Sequence, residues 1–242
     1  MDSRKGRLDA LRPLTPAQIL AVRRSFRGED IEFVYASNAI EGSRLSLRET
    51  QVVIEQGVTI GGKPLQDHID ARNGARAVAL MREIVESERP LDASAIFELH
   101  SLVLGAGDTR AGRIRTYGVK IAGARYVPPA WPEVTEAFDA MLASYRELRD
   151  TAHPVSLAAD LHHAIARIHP FGEGNGRTAR LVANAHLVQF GYAPVIVDPT
   201  ERLAYYEVLA LADDGDADAF RNFVAERERR ALERYLAVIG FD

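Results

Sequence analysis

Apolar residues recur at helical spacing along most of the chain. Val78, Met81 and Val85 form one stripe within a helix predicted over Leu65–Ser87. Val134, Phe138, Met141, Leu142, Tyr145 and Leu148 share one face between Glu133 and Leu148, and Leu157, Leu161, Ile165 and Ile168 do so between Val155 and Ile168. After a glycine-rich run, Leu181, Val182, Ala185 and Val188 begin another helix. Phe220, Phe223, Val224, Leu232, Tyr235, Leu236 and Ile239 mark the last one. Residues 1–14 are polar and read as frayed. Thr15 and Pro16 are placed as N-cap and first residue of a helix to about Phe26, and Arg27–Asp30 reads as a turn. A second helix, IEFVYASNAIEG, ends at Gly42. Ser46 and Glu49 form a capping box for a helix to about Gln56, and Asp92 caps Ala93–Leu104. Gly191–Pro194 breaks the chain before a helix opening at Arg202. Asn73-Gly74, inside the long helix, is either a weak point or a close packing contact.

One region has no helical period, Gly105 to Trp131. Tyr117–Ile121 and Arg125–Val127 are short β-prone runs on either side of Ala122-Gly123-Ala124, the pattern of a hairpin, closed by Pro128-Pro129. The expected fold is all-α with this one small β-hairpin.

Composition narrows the functional classes. The chain has 242 residues, 47% of them hydrophobic, enough for a substantial core. Its formal net charge of −4 gives no basic face suited to nucleic acid. Without cysteine there is neither a disulfide nor a thiolate metal site. No stretch has membrane-spanning length, and the N-terminus lacks the apolar core of a signal peptide. These features read as a soluble, cytoplasmic protein with no membrane partner.

The densest chemistry lies in His169–Arg180, HPFGEGNGRTAR. His169 can accept a proton near neutral pH, and Glu173 can hold a hard cation such as Mg²⁺. Gly174, Asn175 and Gly176 can turn backbone N–H groups toward an anion at the start of the following helix. Arg177 and Arg180, three residues apart, are expected to share one face and aim at one place. Together these are parts for handling a polyphosphate.

This stretch resembles the defining motif of the Fic family, HxFx(D/E)GNGRxxR, with every fixed position filled. The resemblance implies a Fic-type helical bundle, with residues 1–90 as an N-terminal region carrying an inhibitory helix and 91–242 as the Fic core. It implies transfer of AMP from ATP to a Ser, Thr or Tyr hydroxyl of a target protein. His169 would be the general base and Glu173 the Mg²⁺ ligand. Gly174, Asn175 and Gly176 would bind the α-phosphate, Arg177 the β-phosphate and Arg180 the γ-phosphate. Phe171 would be buried, fixing the loop. Glutamate at 173, where many members carry aspartate, lengthens the metal arm by one methylene.

Three further resemblances extend the reading. Ser37, Glu41 and Gly42 are similar to the family's inhibitory motif, (S/T)xxxE(G/N), whose glutamate bonds the second motif arginine, here Arg180, and blocks the γ-phosphate. Tyr117, Val119, Ile121, Tyr126 and Val127 resemble the flap that registers a target segment beside the histidine. Tyr205 and Tyr206 resemble a Tyr-Tyr helix that borders the adenine pocket, although packing explains them equally well. His162 reads as a core residue, and His68, His100, His153, His163 and His186 receive no role. A symmetric homodimer is the default expectation. The same site would serve AMP removal, a different nucleotide donor, or a helical module that senses nucleotide without turning it over.

Overall fold

The structure is a computed structural model that describes residues 2–10, 16–121 and 123–238, the side chains of residues 8 and 16–27 excepted. Among these are ten α-helices: α1 (Asp2–Ala10), α2 (Pro16–Ile40), α3 (Leu47–Gln56), α4 (Leu65–Glu86), α5 (Ala93–Leu104), α6 (Val134–Leu148), α7 (Pro154–Ile168), α8 (Asn175–Gln189), α9 (Arg202–Asp213) and α10 (Ala217–Val238). No described helix is long and apolar enough to cross a membrane.

The local signals explain most boundaries. Ser46 and Glu49 close the predicted box in both directions, Glu49 N–H donating to Ser46 Oγ at 3.3 Å and Ser46 N–H to Glu49 Oε2 at 2.7 Å. Asp92 Oδ1 accepts from Ala95 N–H. The turn expected at Arg27–Asp30 is absent, because α2 runs unbroken from Pro16 to Ile40. A glycine inside a helix costs only about 1 kcal/mol against alanine, and tertiary contacts offset it: Asp30 is paired with Arg82 of α4 at 2.6 Å. Thr15, the expected N-cap, lies outside the described residues.

Gly74 is a close packing contact. A Cβ there would come within 2.9 Å of Val34 Cγ1, so α4 and α2 approach as only glycine permits. Asn73 beside it donates to the Leu104 carbonyl at 3.0 Å. The main core unites α2, α4, α5, α6, α7 and α8, with Phe33, Ile84, Leu99, Phe138, Leu161 and Val182 all buried. Helix α8 passes through the middle of the molecule, buried almost all round from Asn175 to Leu187. Its first turn and the loop before it are therefore held by packing on several sides.

The expected hairpin is the main correction. Tyr117–Ile121 and Gly123–Val127 form no strands among the described residues, and the bond that turns the chain there is Ala124 N–H to the Ile121 carbonyl, 3.2 Å. The reason lies at the arm ends. Arg115 takes the carbonyls of Tyr117 and Pro129 with its guanidinium, at 2.9 and 2.7 Å. Pro128 and Pro129 have no N–H to offer a ladder.

Candidate active site

Helix α7 is capped by His169, whose φ of 51° puts a non-glycine residue in the left-handed region. The ring turns back on its own helix, Nδ1 lying 3.1 Å from the Ala166 carbonyl. A carbonyl can only accept, so Nδ1 carries the proton and Nε2 keeps the lone pair. Burial, reinforced by the nearby Arg115 cation, lowers the His169 pKa and keeps the ring neutral.

The loop after it is bonded group by group. Asn175 Oδ1 accepts from Phe171 N–H and its Nδ2 donates to the Phe171 carbonyl, both at 2.9 Å. The Asn175 side chain is thus spent on the loop. Phe171 is fully buried and stacks on His100, ring centroids 3.7 Å apart. His100 Nδ1 accepts from Gly112 N–H at 2.9 Å, which leaves Nε2 to donate to the Glu173 carbonyl at 3.0 Å. Burial drives the His100 pKa down to about 4. Arg115 closes the other side: its N–H donates to the Pro170 carbonyl and its Nε to the His169 carbonyl.

Gly174, at φ 75°, opens α8 without any side-chain cap. The first N–H groups of α8 have no intrahelical acceptor, and they lie at the positive end of the helix dipole. Glu41 lies against this first turn. Its Oε1 lies 2.5 Å from where a Cβ on Gly176 would stand and accepts from Arg180 Nη2 at 2.7 Å.

Arg180 is buried and uses four of its five donors. Nε donates to Ser37 Oγ and Nη2 to the Ser37 carbonyl, both at 2.9 Å, and Nη1 to the Tyr205 hydroxyl at 3.3 Å. Tyr205 in turn lies 3.0 Å from His162 Nε2. Burial alone would raise the Glu41 pKa, but the charge and hydrogen bond of Arg180, together with the Arg177 and Arg202 cations, outweigh it and hold the carboxyl below its ordinary value. Gly42, at φ 103°, carries the chain away in a turn after α2 ends at Ile40. Arg202 of α9 pins that end, donating to the Ile40 carbonyl at 2.7 Å.

These groups border an open cleft of about 790 Å³. Glu41, His169, Glu173, Gly174, Asn175, Gly176, Arg180, Tyr205 and Tyr206 all contribute to its lining, as do Val119, Ile121 and Tyr126 on the opposite wall. Tyr117 and Val127 are exposed at the ends of the arms. The Tyr117 hydroxyl abuts Gly172, where any Cβ would collide with it. Tyr205 is buried under Arg180, whereas Tyr206 stands on the cleft wall under the Arg202 guanidinium. The two motif arginines do not converge as their spacing suggested. Arg177 turns to Asp70 of α4, Nη1 to Oδ1 3.1 Å, and does not line the cleft.

Three residues that hold this site were not singled out by sequence. His100 sits in an apolar helix, Arg115 in an irregular segment and Asp70 on an exposed turn of α4. Each acts through partners far away in the chain, and no spacing rule signals that.

The family model described as Fic/DOC matches residues 90–187. A protein adenylyltransferase Fic from Nematostella vectensis is 36% identical over 228 residues, 92% of this chain and 52% of that protein. Its Drosophila melanogaster counterpart is 32% identical over 98% of this chain and 47% of its own length. The chain thus spans about half the length of the curated relatives it matches. Among solved structures, Fic-1 from C. elegans superposes with a TM-score of 0.87 at 31% identity, covering 98% of this chain and 71% of that one. A Fic-domain-containing signaling protein from Bacteroides thetaiotaomicron gives 0.88 at 25% identity, covering 100% and 97%. The site is that of a Fic fold, a helical bundle with the motif loop at the head of its central helix. The chain belongs to the Fic/DOC family.

Proposed function

We propose that the chain is a protein adenylyltransferase held in an inhibited state, transferring AMP from ATP to a hydroxyl of a target protein. The observation that carries the reading is Glu41, a carboxylate seated on the anion-binding start of α8 and bonded to Arg180. An anion already occupies the ground that a nucleotide phosphate needs. A carboxylate and a phosphate compete for one guanidinium.

His169 supplies the base. Its neutral ring, with Nδ1 tied to the Ala166 carbonyl, leaves Nε2 free to take the proton of a target hydroxyl. The hydroxyl oxygen then attacks the α-phosphorus, and the bond to the pyrophosphate leaving group breaks. N–H groups at Gly174, Asn175 and Gly176 stabilise negative charge on the α-phosphate oxygens. Arg180, once released from Glu41, receives the γ-phosphate.

The donor set fits Mg²⁺. Glu173 is a single carboxylate, 58% exposed at the cleft and held lightly, by Gly174 N–H at 3.3 Å and Arg177 at 3.8 Å, and no cluster of three or more potential ligands exists among the described residues. Mg²⁺ characteristically takes one or two carboxylates, with substrate phosphates and waters completing its shell. Bound there, it would neutralise charge on the leaving group.

The arms around the Ile121–Ala124 turn support a docking role. Their backbone groups are not tied into a ladder, so a target segment can add itself along the wall. Val119, Ile121 and Tyr126 are placed to meet its side chains.

The reading is tested with ATP labelled on the α-phosphate. Wild type should label itself weakly, Glu41→Gly strongly, and Glu41→Gly with His169→Ala not at all. Absence of label from all three forms, with lysate added as a source of targets, would refute transfer from ATP.

A further inference from the structure

The two motif arginines are held very unequally. Arg180 donates to four oxygens. Arg177 is nearly as buried, its side chain 11% exposed, yet it has only an ion pair with Asp70 Oδ1 at 3.1 Å and a longer one with Glu173 Oε1 at 3.8 Å. Its Nε is buried and has no hydrogen-bond partner among the described residues. Beside it lies a small cavity of about 10 Å³, room for one water, bordered by Ser37, Asn38, Asp70 and Gly74. A guanidinium offers five donors in a fixed fork. In this position most of that fork is poorly used, so the resting contact is one that a better ligand can displace.

We propose that Asp70 is a positioning residue that holds Arg177 away from the cleft and competes with the β-phosphate of a nucleotide for it. The proposal rests on the adenylyltransferase reading, which brings a nucleotide into this cleft. Asp70 projects from α4, the helix that Gly74 brings against α2, and so lies beyond the cleft lining. A phosphate accepting two parallel bonds from the fork would satisfy Arg177 better than one Asp70 oxygen does. The chain would therefore keep a carboxylate on each motif arginine at rest: Glu41 on Arg180, closing the γ-phosphate position, and Asp70 on Arg177, weakening the β-phosphate position. The two contacts differ in what they discriminate. Glu41 sits in the cleft and obstructs it directly, whereas Asp70 tunes affinity only for nucleotides that carry a β-phosphate.

The test is calorimetric titration in the Glu41→Gly background, with and without Asp70→Asn. The probes are an ATP analogue not cleavable between the α- and β-phosphates, ADP, and AMP. Asp70→Asn should tighten binding of the analogue and of ADP roughly three- to tenfold, the scale of a half-buried ion pair, and leave AMP unchanged. Adding Arg177→Gln should erase the gain, and Asp70→Glu, which keeps the charge, should show none. Thermal melts report folding, and Asp70→Ser replaces Asp70→Asn if the latter unfolds. Unchanged or weaker binding of the analogue, or an equal gain for AMP, would overturn the role of Asp70 alone. Failure of Glu41→Gly itself to bind the analogue would instead overturn the nucleotide reading beneath it.

Discussion

Along the floor of the cleft, from His169 to Arg180, backbone polar groups meet dedicated partners. The carbonyls of His169 and Pro170 go to Arg115, both polar groups of Phe171 to Asn175, and the Glu173 carbonyl to His100. Along the facing wall, from Tyr117 to Val127, the contacts are fewer and gather at its start: the Tyr117 carbonyl on Arg115 at 2.9 Å and its hydroxyl against Gly172, then one turn bond, the Tyr126 ring under Arg167 at 4.4 Å, and an exposed Arg125–Asp214 pair at 3.0 Å. Proton transfer and phosphate binding fail when groups are misplaced by an ångström, so the floor is fixed from several directions. A wall that meets a target backbone has to leave its own donors and acceptors free. The contrast between the two surfaces fits the proposed division between chemistry on the floor and docking on the wall.

The largest effect should come from the floor. In the Glu41→Gly background, His169→Ala should cut AMP transfer by roughly 10²–10⁴-fold, the usual worth of a positioned base, while affinity for ATP stays the same. Loss of ATP binding alongside activity would mean that His169 holds the loop rather than the proton. Next comes the anion on that floor. Hydrogen bonds to charged groups are worth about 1.5–3 kcal/mol, so removing Glu41 should raise ATP affinity on the order of 10–150-fold. Glu41→Gln, which keeps the shape and loses the charge, should fall between wild type and Glu41→Gly in the same titration.

Arg115 joins the two surfaces, and breaking it should cost stability before it costs chemistry. Arg115→Met leaves the carbonyls of His169, Tyr117 and Pro129 without their donor. A loss of about 2–4 kcal/mol is expected, which at about 2–4 °C per kcal/mol for a chain of this size gives a clear drop in Tm by calorimetry. On the wall itself the effects should be smaller and selective. Tyr126→Ala and Val127→Ser should raise KM for a protein target a few-fold and leave KM for ATP unaltered, since neither side chain bonds the floor. Equal changes in both constants would show that the wall is part of the nucleotide site.

The same contrast decides what the sequence made legible. The floor is written locally: His169, Glu173, the glycines and Arg180 lie within twelve residues, and Ser37 in the last turn of α2 stands four residues before Glu41, just past its end, so spacing carries the geometry. The helices were legible for the same reason, through period and caps such as Ser46 with Glu49. The wall was misread because alternation of Tyr117, Val119 and Ile121 signals extended backbone and says nothing of what it pairs with. That choice was made by Arg115, through bonds to carbonyls as far away as His169. Arg177 misled in the opposite way. Helical spacing put it beside Arg180, but α4 offers Asp70, and a carboxylate on a packed neighbour outweighs the direction that spacing suggests. Gly28 did likewise, reading as a turn where packing against α4 carries the helix through.

The finest test of the link between floor and wall is the pH dependence of transfer. Burial comes first in lowering the His169 pKa, and the Arg115 cation adds to it. A base must be neutral to accept a proton, so activity should persist below the ordinary histidine value of about 6.5, and the acid limb of kcat/KM for the Glu41→Gly form should lie on that acidic side. Arg115→Met removes the neighbouring cation that disfavours imidazolium. The His169 pKa then rises, the ring protonates earlier as pH falls, and the acid limb moves upward by less than about one pH unit, because burial remains. Arg115→Lys loses the fork, and with it most of the three carbonyl bonds, but keeps a positive charge nearby. It should share much of the thermal destabilisation of Arg115→Met while leaving the limb close to its original position. A limb that moves equally in both variants would mean that Arg115 acts on His169 through the geometry of the loop, and the wall would then help to place the base as well as the target.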